Sequence, residues 1–253
     1  MHYTEYVLSD IIVISNRKAS LVPERHPGRS FEGSHKRSLN LQDWAYTWDV
    51  KFPLPGQELV ALIIAVSFAA GLNVYATVAT LGILGRSGVL VLPGQLHLLT
   101  NRWVIAASLG LFMVEFFADK IPAFDLIWNA LHTFIRVPVA ALLTYQATAN
   151  LSPAEQLGAT LLGGLIALAA HGGKTAVRAA VTPSPEPFSN IGLSLGEDSI
   201  AVALTWLATQ HPFWAASIAA ASAVLAILLI RWVWRAVASL FRSAERRASP
   251  LIP

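Results

Sequence analysis

Glu115 and Asp119 stand four residues apart, which puts two carboxylates on one side of a helix. Such a pair can bind a cation or hand on a proton. Asp125, Asn129, His132 and Arg136 follow at steps of four, three and four, and so make a second polar stripe. His171, Lys174, Arg178 and Thr182 repeat the spacing with the opposite charge. A fourth set, Asn190, Ser194, Glu197, Asp198 and Thr205, mixes carboxylates with hydroxyl and amide groups. Basic side chains of the third stripe facing carboxylates of the others, Lys174 and Arg178 against Asp119 or Glu197, would form a neutral polar core. The same groups facing a cavity would form a binding site or a path for an ion.

The surroundings of these stripes decide how unusual they are. Charged residues make up only 13% of the 253-residue chain, against about a quarter in soluble domains. Of its 18 Lys and Arg, the stretch from 59 to 230 keeps only Arg86, Arg102, Lys120, Arg136, Lys174 and Arg178. So few charges could not cover a water-facing surface, and lipid is the better solvent for this stretch. A charge at membrane depth costs roughly 2.5–3.5 kcal/mol on insertion scales, so it faces a partner or a wet cavity. A purely structural bundle would pack more cheaply with small and apolar side chains.

The elements that position the stripes are apolar segments. Leu59 to Leu84 holds no charge and reads as one span, with Gly71, Asn73 and Tyr75 near its centre. Trp103 to Ala118 is a shorter second segment. Pro122 then breaks the chain, and a third helix runs from Ala123 to about Gln146 with Pro138 able to kink it. Asn150-Leu-Ser-Pro153 is a turn with helix-start chemistry, opening a fourth helix to Val181. Gly172-Gly173 beside Lys174, with Pro183, Pro185 and Pro187 beyond, reads either as a broken segment lining a cavity or as an ordinary helix end. A fifth, more polar segment covers Phe188 to Gln210, and a last apolar helix runs from Phe213 to about Val237.

The expected fold is therefore all-α, a polytopic transmembrane bundle of about six helices over residues 56–240. A basic, mostly disordered tail precedes it over 1–55, with an interfacial helix near Trp44 to Trp48 as one option. A short basic tail follows over 241–253. Basic tails at both ends place both termini in the cytoplasm and require an even number of spans. Six segments also divide into three plus three. Ala69-Ala70-Gly71 and Ala169-Ala170-His171 then mark either an inverted repeat or chance similarity between alanine-rich stretches.

Several chemistries are missing. Cysteine is absent, which excludes disulfides, thiol catalysis and thiolate-bound zinc. There is no phosphate-cradling glycine loop, HExxH or GxSxG. No spacing of His132 or His171 selects a metal, and no cofactor is expected. The tails lack basic runs interleaved with aromatic residues, so their charge points to anionic lipid headgroups rather than nucleic acid.

Three separated motifs carry a family resemblance: Gly71-Leu-Asn-Val-Tyr-Ala-Thr-Val-Ala-Thr-Leu-Gly82, Val114-Glu-Phe-Phe-Ala-Asp-Lys-Ile-Pro122, and His171-Gly-Gly-Lys-Thr-Ala-Val-Arg178 with its continuation to Asn190. Over residues 58 to 210 the chain resembles the bacterial membrane family called domain of unknown function 4126. That resemblance implies a multi-span membrane protein and brings no activity with it. Glu115, Asp119 and Lys120 also resemble a signature of small cation exchangers. The chain departs from it in spacing, in Ala118 for glycine and in Ile121 for a hydroxyl residue.

The functional expectation is a small ion or polar-solute transporter or channel in the inner membrane, and not an enzyme. Glu115, Asp119 and Asp125 would bind a cation or relay protons, with Lys120 beside them. Lys174 and Arg178 would compensate them or bind an anion. Asn73 would contribute from the first helix, with His132, Arg136, His171, Glu197 and Asp198 completing the polar set. The alternative is a non-transporting membrane scaffold or lipid-organising protein.

Overall fold

The computed structural model describes residues 56–92, 94–118, 122–181 and 187–248. The N-terminal tail expected over 1–55 lies outside the described residues. All regular structure among the described residues is helical. In chain order the elements are α1 (Gly56–Leu72), α2 (Val74–Arg86), a 3-10 turn (Gly94–Thr100), α3 (Arg102–Ala118), α4 (Pro122–Ala147), α5 (Pro153–Val181), α6 (Pro187–Gln210) and α7 (Pro212–Ala248).

Local chemistry sets most of these boundaries. Four helices begin on a proline, whose fixed φ suits the first helical position and whose missing N–H has no partner there to lose. The start of α5 is a capping box. The Ser152 N–H donates to Glu155 Oε2 at 3.0 Å, and the Glu155 N–H returns to Ser152 Oγ at 3.4 Å. Pro138 lies inside α4, and the helix continues through it.

Of the two readings of Gly172-Gly173, the ordinary helix end at Val181 holds, and the break in the bundle lies at Asn73 instead. The segment expected to run unbroken from Leu59 to Leu84 is interrupted at Asn73, which has extended backbone at φ −148° and ψ 103°. Its side-chain oxygen accepts from the Ala76 N–H at 2.9 Å, so Asn73 caps α2. By contrast α5 runs unbroken through Gly172 and Gly173. Those glycines serve packing: a Cβ on Gly173 would collide with Ala226 of α7. At the other end, α7 continues to Ala248, past the tail boundary expected at 241.

The core centres on α1, which packs against α4, α5, α6 and α7. Its crossing with α5 is close because Gly71 leaves no side chain between it and the backbone of Ala167. Gly163 likewise admits the Ser67–Thr144 pair, whose hydroxyl oxygens lie 3.2 Å apart. Small residues at helix crossings are the packing mode available when lipid is as apolar as the core.

Polarity is distributed inside out. Phe134 is 81% exposed and Leu165 63%, while Glu115 and Arg136 are both at 0%. Three stretches, α5, Ile191–Gln210 within α6 and Pro212–Ser239 within α7, are long and apolar enough to cross a membrane by length and composition. With α1 and α2 taken as halves of one interrupted segment, the described helices form six segments, of which those three meet that measure.

Candidate functional site

The break at Asn73 leaves two helix ends inside the bundle. The last carbonyls of α1 carry partial negative charge, and the first N–H groups of α2 carry partial positive charge. The chain answers both. Lys174 of α5 brings its ammonium to within 3.5 Å of the Leu72 carbonyl, at the α1 end. Asn73 donates from Nδ2 to Asp198 Oδ1 of α6 at 2.8 Å, which sets a carboxylate near the α2 end.

Around this point the charged residues form one chain of contacts. Glu115 Oε1, from α3, accepts from Arg136 Nη2 of α4 and lies 3.5 Å from Lys174 Nζ. Lys174 Nζ also lies 3.1 Å from Glu197 Oε2 of α6. Arg178, one turn further along α5, donates from Nη2 to the same oxygen at 2.8 Å. The side chains of Glu115, Arg136 and Lys174 are wholly shielded, and Glu197 is 11% exposed. Among the described residues three cations (Arg136, Lys174, Arg178) thus stand with three carboxylates (Glu115, Glu197, Asp198), which makes the burial affordable.

Two histidines extend the network on the α4 side. Arg136 Nη1 donates to His171 Nδ1 at 2.9 Å, so the His171 proton sits on Nε2 and is donated to Thr133 Oγ1 at 2.8 Å. Thr133 in turn donates to the Asn129 carbonyl at 3.3 Å. His132 has the opposite tautomer. Its Nδ1 donates to the Trp128 carbonyl at 2.8 Å, which leaves Nε2 to accept from the Tyr75 hydroxyl at 3.1 Å.

Of the twelve residues singled out in the sequence, Asn73, Glu115, His132, Arg136, His171, Lys174, Arg178, Glu197 and Asp198 come together here. Asp119 and Lys120 lie outside the described residues, and so does the side chain of Asp125. The expected facing of Lys174 and Arg178 toward Glu197 is present. Sequence reasoning missed Thr133, whose place between Asn129 and Arg136 on the α4 stripe is its only signal, and the Leu72 carbonyl, which has none. Among the described residues no three histidine or acidic side chains gather as a metal-ligand set. The arrangement can exchange protons or hold a small charged or polar species between carboxylates and an ammonium. Glu115 Oε2, buried in the middle, accepts no hydrogen bond from the described residues.

No curated protein and no solved structure matches the chain. A family model described as a domain of unknown function, DUF4126, matches residues 60–232, which contain every residue of the cluster from Asn73 to Asp198. With that match covering well over half of its length, the chain belongs to the DUF4126 family.

Proposed function

We propose that the chain is a multi-pass protein of the bacterial inner membrane, with both termini cytoplasmic, that moves a small ion or polar solute past the buried charges at the α1–α2 break. The observation that carries this reading is the charged cluster assembled at a helix interruption inside an apolar bundle. Interrupted helices in membrane proteins line sites, because their freed backbone groups need polar partners. An unsatisfied oxygen on Glu115 at the centre also argues against a purely structural lock, in which every buried group would be paired. Glu115, Glu197 and Asp198 hold the cationic or hydrogen-bond-donating part of the solute, and Lys174 balances it. No covalent chemistry is assigned to the cluster.

The test is flux in reconstituted vesicles, followed with proton-sensitive and alkali-cation-sensitive dyes. Wild-type protein raises flux above that of empty vesicles, and Lys174→Met and Asp119→Asn return it to the empty level. Unchanged flux in both variants ends the assignment.

A second reading has its own support: the zero exposure of Glu115, Arg136 and Lys174 suits a sealed core in a scaffold that organises lipid. The two readings separate by single cysteines at 73, 174 and 198 in this cysteine-free chain. Labelling by a small aqueous thiol reagent supports transport, and none at any position supports the scaffold.

A further inference from the structure

The 3-10 turn Gly94–Thr100 lies between α2 and α3 in the chain and packs on both. It brings the last residue of α2 and the residues just before α3 to one open cleft of about 710 Å³, within the roughly 300–1,000 Å³ range of small-molecule sites. Arg86, Gln95, His97, Leu98, Thr100 and Asn101 line it. None of them belongs to the charged cluster at the α1–α2 break, and in the sequence they lie at neither basic tail. Their polar ends are set to donate. Arg86 Nη1 donates to the Thr100 carbonyl at 3.3 Å, which fixes the guanidinium across the turn. Its Nε and Nη2 have no partner among the described residues, and Arg86 is exposed. Asn101 Oδ1 caps α3 by accepting the Trp103 N–H at 2.9 Å, so Nδ2 is the end of that amide left to a ligand. Thr100 Oγ1 donates to the His97 carbonyl at 2.8 Å and stiffens the turn. Carboxylates are missing from this whole stretch of chain, since residues 59–114 contain no Asp or Glu.

We propose that this cleft holds the phosphate of an anionic phospholipid. The Arg86 guanidinium supplies the charge, and Asn101, Gln95 and His97 add N–H donors for the remaining phosphate oxygens. Beside the cleft stand apolar side chains that water would not favour: Trp103 is 72% exposed, Leu98 67% and Val91 54%. They suit the glycerol and first methylenes of a lipid. The Arg102 guanidinium lies 5.6 Å from the centre of the Trp103 ring, a pairing suited to a membrane–water interface.

Position and charge both narrow the ligand. The cleft sits where α2 ends and α3 begins, and in a membrane bundle helix ends meet headgroups rather than acyl chains. A zwitterionic headgroup would bring an ammonium, for which α2, the turn and the start of α3 have no carboxylate. A free phosphate would use the donors but leave Leu98 and Trp103 uncovered. The inference rests on the bundle lying in a bilayer. It is read without flux, so it stands or falls separately from transport.

The test is native mass spectrometry of the full-length protein in detergent, titrated with phosphatidylglycerol and with phosphatidylcholine of the same acyl chains. Wild type is expected to retain phosphatidylglycerol under conditions that strip phosphatidylcholine. Arg86→Gln weakens that retention by about fivefold, the loss expected for one cation beside an anionic lipid. Gln95→Glu, which keeps Arg86 and sets a carboxylate in the cleft, weakens it at least as much. Both positions are exposed, so neither change disturbs the core. Arg242→Gln, at the basic end of α7, leaves retention unchanged, and an excess of inorganic phosphate leaves the lipid bound. Equal retention of the two lipids, or affinity unchanged in both cleft variants, overturns the proposal. So does a loss in Arg242→Gln as large as that in Arg86→Gln, which would place the lipid at the tail. Displacement by inorganic phosphate would make the free anion the ligand and overturn the lipid assignment.

Discussion

At the scale of single residues, the cluster is held by charges that cannot be removed one at a time. Glu115→Gln would leave Arg136 and Lys174 buried against a neutral amide. Breaking a buried pair in this way costs about 3–5 kcal/mol, and thermal unfolding in detergent should show a large fall in midpoint. Replacing both partners, Glu115→Leu with Arg136→Leu, should recover much of that loss, because no orphan charge then remains at the pair. If the double variant is no better than the single, the ion pair is not what the site depends on. The stripes on α4 and α5 were legible because charged residues are rare in this chain and helical spacing places them on one face. Their pairing was less so. Glu115 takes Arg136 and Lys174 as partners, and nothing in the spacing of three separate helices shows which cation reaches which carboxylate.

At the scale of elements, the two glycine-marked points of the chain turned out to have different roles. Gly71 sits just before a real interruption, whereas Gly172 and Gly173 sit in continuous helix. Composition alone does not separate these cases, since glycine both frees the backbone and lets a neighbouring helix approach. The surroundings do separate them. A Cβ on Gly173 meets the backbone and side chain of Ala226, while one on Gly172 meets only the far end of Ile230. Gly173→Ala should therefore lower the unfolding midpoint clearly, and Gly172→Ala should leave it close to wild type. Equal effects would mean that α5 and α7 do not pack as described. For the break itself, Asn73→Ala removes a helix cap, a loss of about 0.5–2 kcal/mol. Hydrogen exchange at the amide of Ala76, which Asn73 caps, should speed up more than at the α2 C-terminus. The helix boundaries were easier to read than the break, because proline at the first turn and the Ser152–Glu155 box are local signals.

At the scale of the whole molecule, the apolar exterior and polar interior followed from where the charges lie in the sequence. The number of crossings did not, since two short helices can stand for one segment. α7 is the longest element, and its 37 residues extend about 56 Å, well beyond a hydrocarbon core of about 30 Å. Its final turns carry exposed Arg235 and Arg242, with exposed Trp232 and Trp234 just before, the pattern of an anchor at a membrane–water interface. Single cysteines at Gly56 and Arg242 should both react with a membrane-impermeant maleimide in inside-out vesicles and be shielded in right-side-out ones. Reaction from opposite faces would show an odd number of crossings.

The inside-out polarity also bears on how the protein is made. Among the described residues α3, with 17 residues, and α4 are not among the helices both long and apolar enough to cross a membrane, and each carries one half of the Glu115–Arg136 pair. A ribosome delivers them one after the other, and neither is a comfortable guest of the lipid while its partner is missing. Their entry into the bilayer is expected to be joint, as a hairpin with the charges already matched. An insertion reporter carrying α4 alone should remain outside the membrane, and one carrying α3 and α4 together should enter it.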